Sequence, residues 1–297
     1  MSASPSPSLA AFSAVVTRLR AAGCVFAEDE ARLILSAGHV PAEIDAMVDR
    51  RAAGLPLEHV LGWAEFRGLR ISIDPGVFVP RRRTEFLVER AVPLARSGAV
   101  VVDLCCGSGA LGAALASALG GVELYATDID PVAVRCARRN VGAAGGTVYA
   151  GDLYEPLPAA LRGRVDLLLA NVPYVPTEEV GLLPPEARVH EARVALDGGA
   201  DGLDVLRRVT AGAGGWLTPG GSLLFETSGR QAATAMAIVA EGGLEPRLAE
   251  CDELDATVII GSKPSAPGHR DRVQQGRRSR DRNPHPTPRA SGNTTRS

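Results

Sequence analysis

The tetrapeptide Asn171-Val172-Pro173-Tyr174 follows a largely apolar run, VDLLLA (165–170), and offers two hydrogen-bond acceptors side by side. Asn171 can present its side-chain oxygen, while Pro173 drives Val172 into an extended conformation that can turn its carbonyl the same way. Two converging acceptors suit a planar NH₂ group. Each hydrogen finds one oxygen, which aims the nitrogen lone pair at an electrophile and favours the positive charge that develops as the nitrogen attacks. Tyr174 could stack on the flat group. Taken alone, the same four residues also read as a strand-ending turn, because Asn and Pro are common turn residues.

A second stretch, VVDLCCGSGALG (101–112), supplies a place for the electrophile. It contains Asp103, Cys105, Cys106, Gly107, Ser108 and Gly109, and reads as a strand, a glycine-rich turn and a helix start. Glycines let backbone approach a ligand, and a helix N-terminus offers unpaired N–H groups. A nucleotide-like cofactor is implied. Gly107, Gly109 and Gly112 also fit the GxGxxG spacing of dinucleotide folds, so the loop leaves NAD and S-adenosyl-L-methionine both open. Asp128 closes the next strand, where a carboxylate can accept from both hydroxyls of a ribose. Asp130, ahead of Pro131, is assigned as the cap of the following helix. Asp152, with Leu153 beside it in AGDLYEPL, is the next acid along the same edge, placed for an adenine amino group.

These residues need a frame. The runs AVVVDL (99–104), VELYAT (122–127), TVYAGD (147–152), VDLLLA (165–170), GSLLFET (221–227) and ATVIIG (256–261) alternate with amphipathic or glycine-bearing segments. That alternation predicts an α/β class, with a Rossmann-like, doubly wound and mostly parallel sheet covered on both faces. In such a sheet ligands sit outside the carboxyl ends of the strands, so Asp103, Asp128, Asp152 and NVPY should border one crevice. The setting moves NVPY from turn to site. Ahead of the sheet, Leu9, Phe12, Val15, Val16 and Leu19 and two later sets at helical spacing predict a small helical domain over 8–64. A β-hairpin and linker over 65–80 lead into the catalytic domain, 81–261. The stretches 1–7 and 262–297 are too polar to offset the entropy of ordering and are expected to be disordered, the second as a basic tail.

Composition bounds the partners. At 297 residues, with 45% hydrophobic and 22% charged residues, the chain is an ordinary globular protein of about two domains. Its apolar stretches fall far short of the ~20 residues that cross a bilayer, and the first residues do not resemble a secretory signal, so a cytoplasmic protein is expected. The five cysteines form no CxxC pair and no His is spaced for zinc, which predicts free thiols and no metal site. Residues 262–297 carry nine basic side chains against Asp271 and Asp281, a net +7, so the overall −2 leaves −9 for residues 1–261. An acidic body disfavours a nucleic-acid substrate, whose binding relies on Lys and Arg releasing counterions, and favours a basic partner protein. Oligomeric state leaves no mark on the sequence.

NVPY in this setting resembles the NPPY hallmark of the HemK/PrmC family of protein-(glutamine-N5) methyltransferases. The likeness extends from about residue 8 to 261. Further stretches are similar to the family: LEHVLGWAEFRGLRISIDPGVFVPRRRTEFLVE (57–89), DLCCGSGALGAALA, ATDIDPVAVRCARRN, GDLYEPLP, ALDGGADGLDVLRRV and LTPGGSLLFETSGRQ. The resemblance implies a helical substrate-recruiting domain followed by a class I methyltransferase domain. It further implies transfer of the methyl group of S-adenosyl-L-methionine to the glutamine of the GGQ loop of a peptide chain release factor. By the same likeness Asp103, Cys105 to Gly109, Asp128, Asp152, Leu153 and Asn171 contact the cofactor, and Asn171, Val172, Pro173 and Tyr174 hold the glutamine amide.

Three departures stand out. Val172 replaces the first proline of NPPY, and Cys105-Cys106-Gly107 replaces the usual GTG. The acidic PxxE stretch reads Pro80-Arg81-Arg82-Arg83-Thr84-Glu85, which keeps Glu85 but adds three arginines, expected to form a solvated face, with contact to an acidic partner or RNA as the alternative. The rival readings are an N-methyltransferase for an exocyclic amine of RNA or DNA, which the acidic body disfavours, and a cofactor-binding regulator without turnover. A NAD-dependent dehydrogenase would explain neither NVPY nor Asp152.

Overall fold

The computed structural model describes residues 9–38 and 40–265, so the segments 1–7 and 266–297, expected to be disordered, lie outside the described residues. Helices α1 (Leu9–Ala21), α2 (Ala27–Ala37) and α3 (Pro41–Ala52) bury Val15, Val16, Leu19, Ala31, Ile34 and Val48 against one another. These positions recur every three or four residues, which gives each helix one apolar face. The short α4 (Leu57–Leu61) ends at Gly62, whose φ of +77° provides a left-handed cap. Strands β1 (Trp63–Phe66) and β2 (Leu69–Ser72) then pair antiparallel. They are joined by Arg67-Gly68, both at positive φ as a type I′ turn requires.

After α5 (Glu85–Ala91), strands β3 (Val100–Leu104), β4 (Glu123–Asp128), β5 (Thr147–Ala150) and β6 (Val165–Ala170) alternate with α6 (Ala110–Leu119) and α7 (Pro131–Ala143). The chain continues through α8 (Pro185–His190), α9 (Asp204–Trp216), β7 (Leu217–Thr227), α10 (Ala232–Glu241), β8 (Glu245–Cys251) and β9 (Ala256–Ser262). The large sheet runs β5-β4-β3-β6-β7-β9-β8, parallel from β5 to β7. Successive residues face opposite ways. Val101, Leu169, Leu224 and Ile260 pack in a core that includes α5, α6 and α7 residues, whereas Val102, Leu168, Phe225 and Ile259 pack with α9 and α10.

Two features differ from the sequence expectation. β8 is an additional strand, and β9 runs antiparallel to both its neighbours. Only residues 252–255 separate β8 from β9, far too few for the crossover of about a dozen residues that a parallel pair needs. β9 also extends through Ser262, and Lys263 Nζ donates to the carbonyls of Gly214 (2.7 Å) and Leu217 (2.8 Å). The sheet thus reaches beyond the start of the tail set by composition. Among the described residues no helix is long and apolar enough to cross a membrane, and all five cysteines are free.

Candidate active site

Strand order reverses at β3, which has β4 on one side and β6 on the other, and a crevice opens beyond the carboxyl ends at such a switch point. There the structure holds a cavity of about 470 Å³. Cys105, Cys106, Gly107 and Ser108 line it from the turn after β3, Asp128 from the end of β4, Asp152 and Leu153 from the turn after β5, and Asn171, Val172, Pro173 and Tyr174 from the segment after β6. Asp103 and Gly109 do not line it. Asp103 lies fully buried beneath the turn, and a Cβ on Gly109 would meet Val141 Cγ2 at 2.6 Å, so that glycine serves the packing of α6 on α7.

The glycine turn is held by its own hydrogen bonds. Gly109 N–H donates to the Cys106 carbonyl (2.7 Å), Cys106 N–H to the Thr127 carbonyl (3.0 Å), and Gly107 N–H to Asp128 Oδ2 (2.8 Å). Asp128 Oδ1 accepts from Asp130 N–H (2.9 Å), and Asp130 caps α7 by accepting from Val132 N–H (2.8 Å). Burial raises the Asp128 carboxyl above its ordinary range. Cys105, at φ +52°, and Leu153, at φ +47°, are non-glycine residues in the left-handed region. Glycine is therefore usual at position 105 for its backbone conformation. Burial pushes the Cys105 thiol up, which favours its protonated form.

Asp103 Oδ2 accepts from Gly112 N–H (2.9 Å), yet Oδ1 is buried with no partner in the protein. Burial raises this carboxyl to about 7. An orphaned buried acceptor under a glycine turn, an open approach at Gly107 and two further acids along the strand ends together fit S-adenosyl-L-methionine, which carries a cation, a ribose and an adenine.

On the acceptor side, no described group engages the Asn171 side-chain amide or the Val172 carbonyl. The segment is fixed from behind. Val175 N–H donates to the Leu196 carbonyl (3.1 Å), and Gly198 N–H to the Val175 carbonyl (2.8 Å). Gln231 Nε2 donates to the Tyr174 carbonyl (3.0 Å). Tyr174 Oη accepts from an Arg83 Nη (2.6 Å) and donates to Glu226 Oε1 (3.0 Å). Burial and the Glu226 charge raise the phenol.

The arginine stretch is only in part the solvated face expected of it: Arg82 and Arg83 are exposed, yet Arg81 and Arg83 reach buried acids. Arg81 makes two bonds to the buried Glu191 carboxylate (2.6 and 2.7 Å), and Arg83 Nε donates to the buried Glu226 (2.8 Å). Each acid lies more than a hundred residues further on, so no local pattern reveals the pairing. Arg208, on α9, is paired with Asp152 and also lines the cavity. Gly198 and Gly202 were missed as site residues, although the GGxxG run in LDGGADGL was a usable signal. A Cβ on Gly198 would meet the Pro173 carbonyl oxygen at 2.6 Å, and one on Gly202 the Tyr174 oxygen at 2.3 Å.

Comparison with known proteins points to a methyltransferase. The family model described as "Methyltransferase small domain" matches residues 68–202. A release factor glutamine methyltransferase of Geobacter sulfurreducens is 40% identical over 199 residues, 66% of this chain and 69% of that protein. The 4-amino-L-phenylalanine/4-methylamino-L-phenylalanine methyltransferase of Streptomyces pristinaespiralis is 36% identical over 232 residues, 75% of this chain and 78% of that protein. Among solved structures, a methyltransferase of Pyrococcus furiosus superposes with a TM-score of 0.51 at 18% identity, covering 74% of this chain and 98% of that one, a likeness of fold.

Proposed function

Because this chain belongs to the release factor glutamine methyltransferase family, we propose that it transfers the methyl group of S-adenosyl-L-methionine to the N5 amide nitrogen of the GGQ glutamine of a peptide chain release factor. The observation that carries the reading is the unengaged acceptor pair, Asn171 and the Val172 carbonyl, on the wall of the same cavity as the glycine turn.

When bound, S-adenosyl-L-methionine supplies a methyl carbon on a positively charged sulfur, which departs as a neutral thioether. Asn171 Oδ1 and the Val172 carbonyl each accept one hydrogen of the glutamine NH₂, holding its plane and directing the nitrogen electron pair that forms the new N–C bond. The same two oxygens stabilise the charge that appears on nitrogen. No side-chain base is required, because an alkylated amide is strongly acidic and its surplus proton passes to water. Cys105 to Ser108, Asp128, Asp152 and Leu153 hold the cofactor, with Gly109 shaping the turn and Asp103 buried beneath it, bonded to Gly112 N–H. The cytoplasm is the proposed site of action.

Incubating the protein with a release factor and S-adenosyl-L-methionine should add one methyl to the GGQ glutamine, read by mass spectrometry. Asn171→Ala should lower turnover by about a hundredfold or more while leaving cofactor affinity unchanged by calorimetry. Unchanged methyl transfer would overturn the role of the acceptor pair.

The Streptomyces relative favours a second reading, an aromatic amine, since its named substrates carry an amino group on a ring. Such a group presents two hydrogens to the same acceptors. Offering 4-amino-L-phenylalanine in the same assay separates the two.

A further inference from the structure

Two departures from the family pattern, Val172 in place of the first proline and arginines across the acidic PxxE stretch, meet at one side chain. The fourth position of PxxE is Arg83. Its guanidinium spans Glu226 (2.8 Å from Nε) and the Tyr174 hydroxyl (2.6 Å from Nη), while Thr84 Oγ1 donates to the other Glu226 oxygen (2.6 Å). Tyr174 is thereby fastened at its ring tip by Arg83 and Glu226 and at its carbonyl by Gln231.

Proline fixes φ at position 172, and valine does not. A backbone freed in this way is worth roughly a factor of two to five in the population of a single conformer. A charge-assisted bond to the neighbouring tyrosine is strong enough to restore it. We propose that Arg83 is a positioning residue: by holding the Tyr174 hydroxyl against Glu226 it keeps the Val172 carbonyl aimed, supplying the order that the missing proline would otherwise provide. The inference rests on the acceptor role given to residues 171–174.

The experiment is a cycle of Arg83→Met, Arg83→Lys and Val172→Pro, with the release factor as substrate and the Val175 amide followed by hydrogen exchange. Arg83→Met is expected to lower kcat about two- to fivefold, to change KM much less, to leave cofactor affinity unchanged, and to speed exchange at Val175 by about the same factor. Val172→Pro in that background is expected to recover most of both losses, whereas a purely structural ion pair would not be rescued by a proline at another site. Arg83→Lys keeps a cation on Glu226, so the fold survives, but lacks the planar fork and should fall between the two. Wild-type kcat and exchange in both Arg83 variants, or losses that simply add in the double variant, would overturn the proposal. A wild-type protein that leaves the release factor unmethylated would instead sink the glutamine reading, and the exchange measurements would still judge the clamp.

Discussion

Asp103 has no exposed surface, one oxygen bonded to Gly112 N–H and the other unpaired, so its charge is uncompensated in the protein alone. The folded carboxyl is raised to about 7, above the ~3.9 of an unfolded aspartate. The folded state thus holds a proton that the unfolded chain releases. The stability this confers is fully present below pH ~4 and is lost as pH rises through about 7. Thermal denaturation without cofactor should therefore show stability falling by on the order of 3–4 kcal/mol across that window, and Asp103→Asn should flatten the profile. At this scale the sequence was informative wherever an acid or amide ends an apolar run, as at Asp128, Asp152 and Asn171. It was silent where charge meets charge across the fold, as in Arg81–Glu191 and Arg83–Glu226, because only the tertiary structure makes such residues neighbours.

The segment after β6 owes its shape to the loop at 197–203. Gly198 N–H bonds to Val175, and its Cα lies so close to the Pro173 and Gly202 carbonyls that a methyl would sit at 2.6 and 2.5 Å from their oxygens. Both obstacles are backbone and cannot swing aside. Gly198→Ala should cost about 1–3 kcal/mol in chemical denaturation. By displacing the acceptor pair it should also lower kcat by about a hundredfold. Turnover near wild type would show that this packing does not set the aim of Val172.

Strands were legible in proportion to how deeply they are buried. β3 and β6 are buried along their whole length and read as apolar runs broken only by Asp103 and Asp166. β8 reads EPRLAEC, an edge strand with charged and half-exposed positions throughout, and offers no such run. The direction of β9 was equally hidden, because an apolar hexapeptide looks the same in either orientation; the brevity of the preceding turn decides it.

For the whole molecule, the −9 charge of residues 1–261 matters for encounter. A basic protein substrate is drawn to an acidic body over distances that salt screens. KM for such a substrate should rise several-fold between about 50 and about 300 mM salt while kcat holds, and a KM indifferent to salt would remove charge from the account of recognition. The helical segment joins the catalytic part through Arg51, which bonds Glu30 on α2 and Glu186 on α8 at 2.6 Å each, and Glu186 lines the cavity. Helices and sheet were each legible from periodicity, but this link was not, because an arginine late in a helix carries no mark of its partner.

Asn140, on α7, accepts from Ser72 N–H (2.9 Å) and donates both to the Ser72 carbonyl (2.9 Å) and to the Ser108 carbonyl in the glycine turn (2.8 Å). Ser72 is the register partner of Trp63. The other tryptophan, Trp216, stacks on Tyr154 at 5.6 Å between ring centroids, one position beyond Leu153. Trp216 therefore stands a single side chain away from the turn that carries Leu153, and Trp63 is linked to the glycine turn through Ser72 and Asn140. The chain carries its own optical probes: intrinsic emission should register loading of that donor without any attached dye.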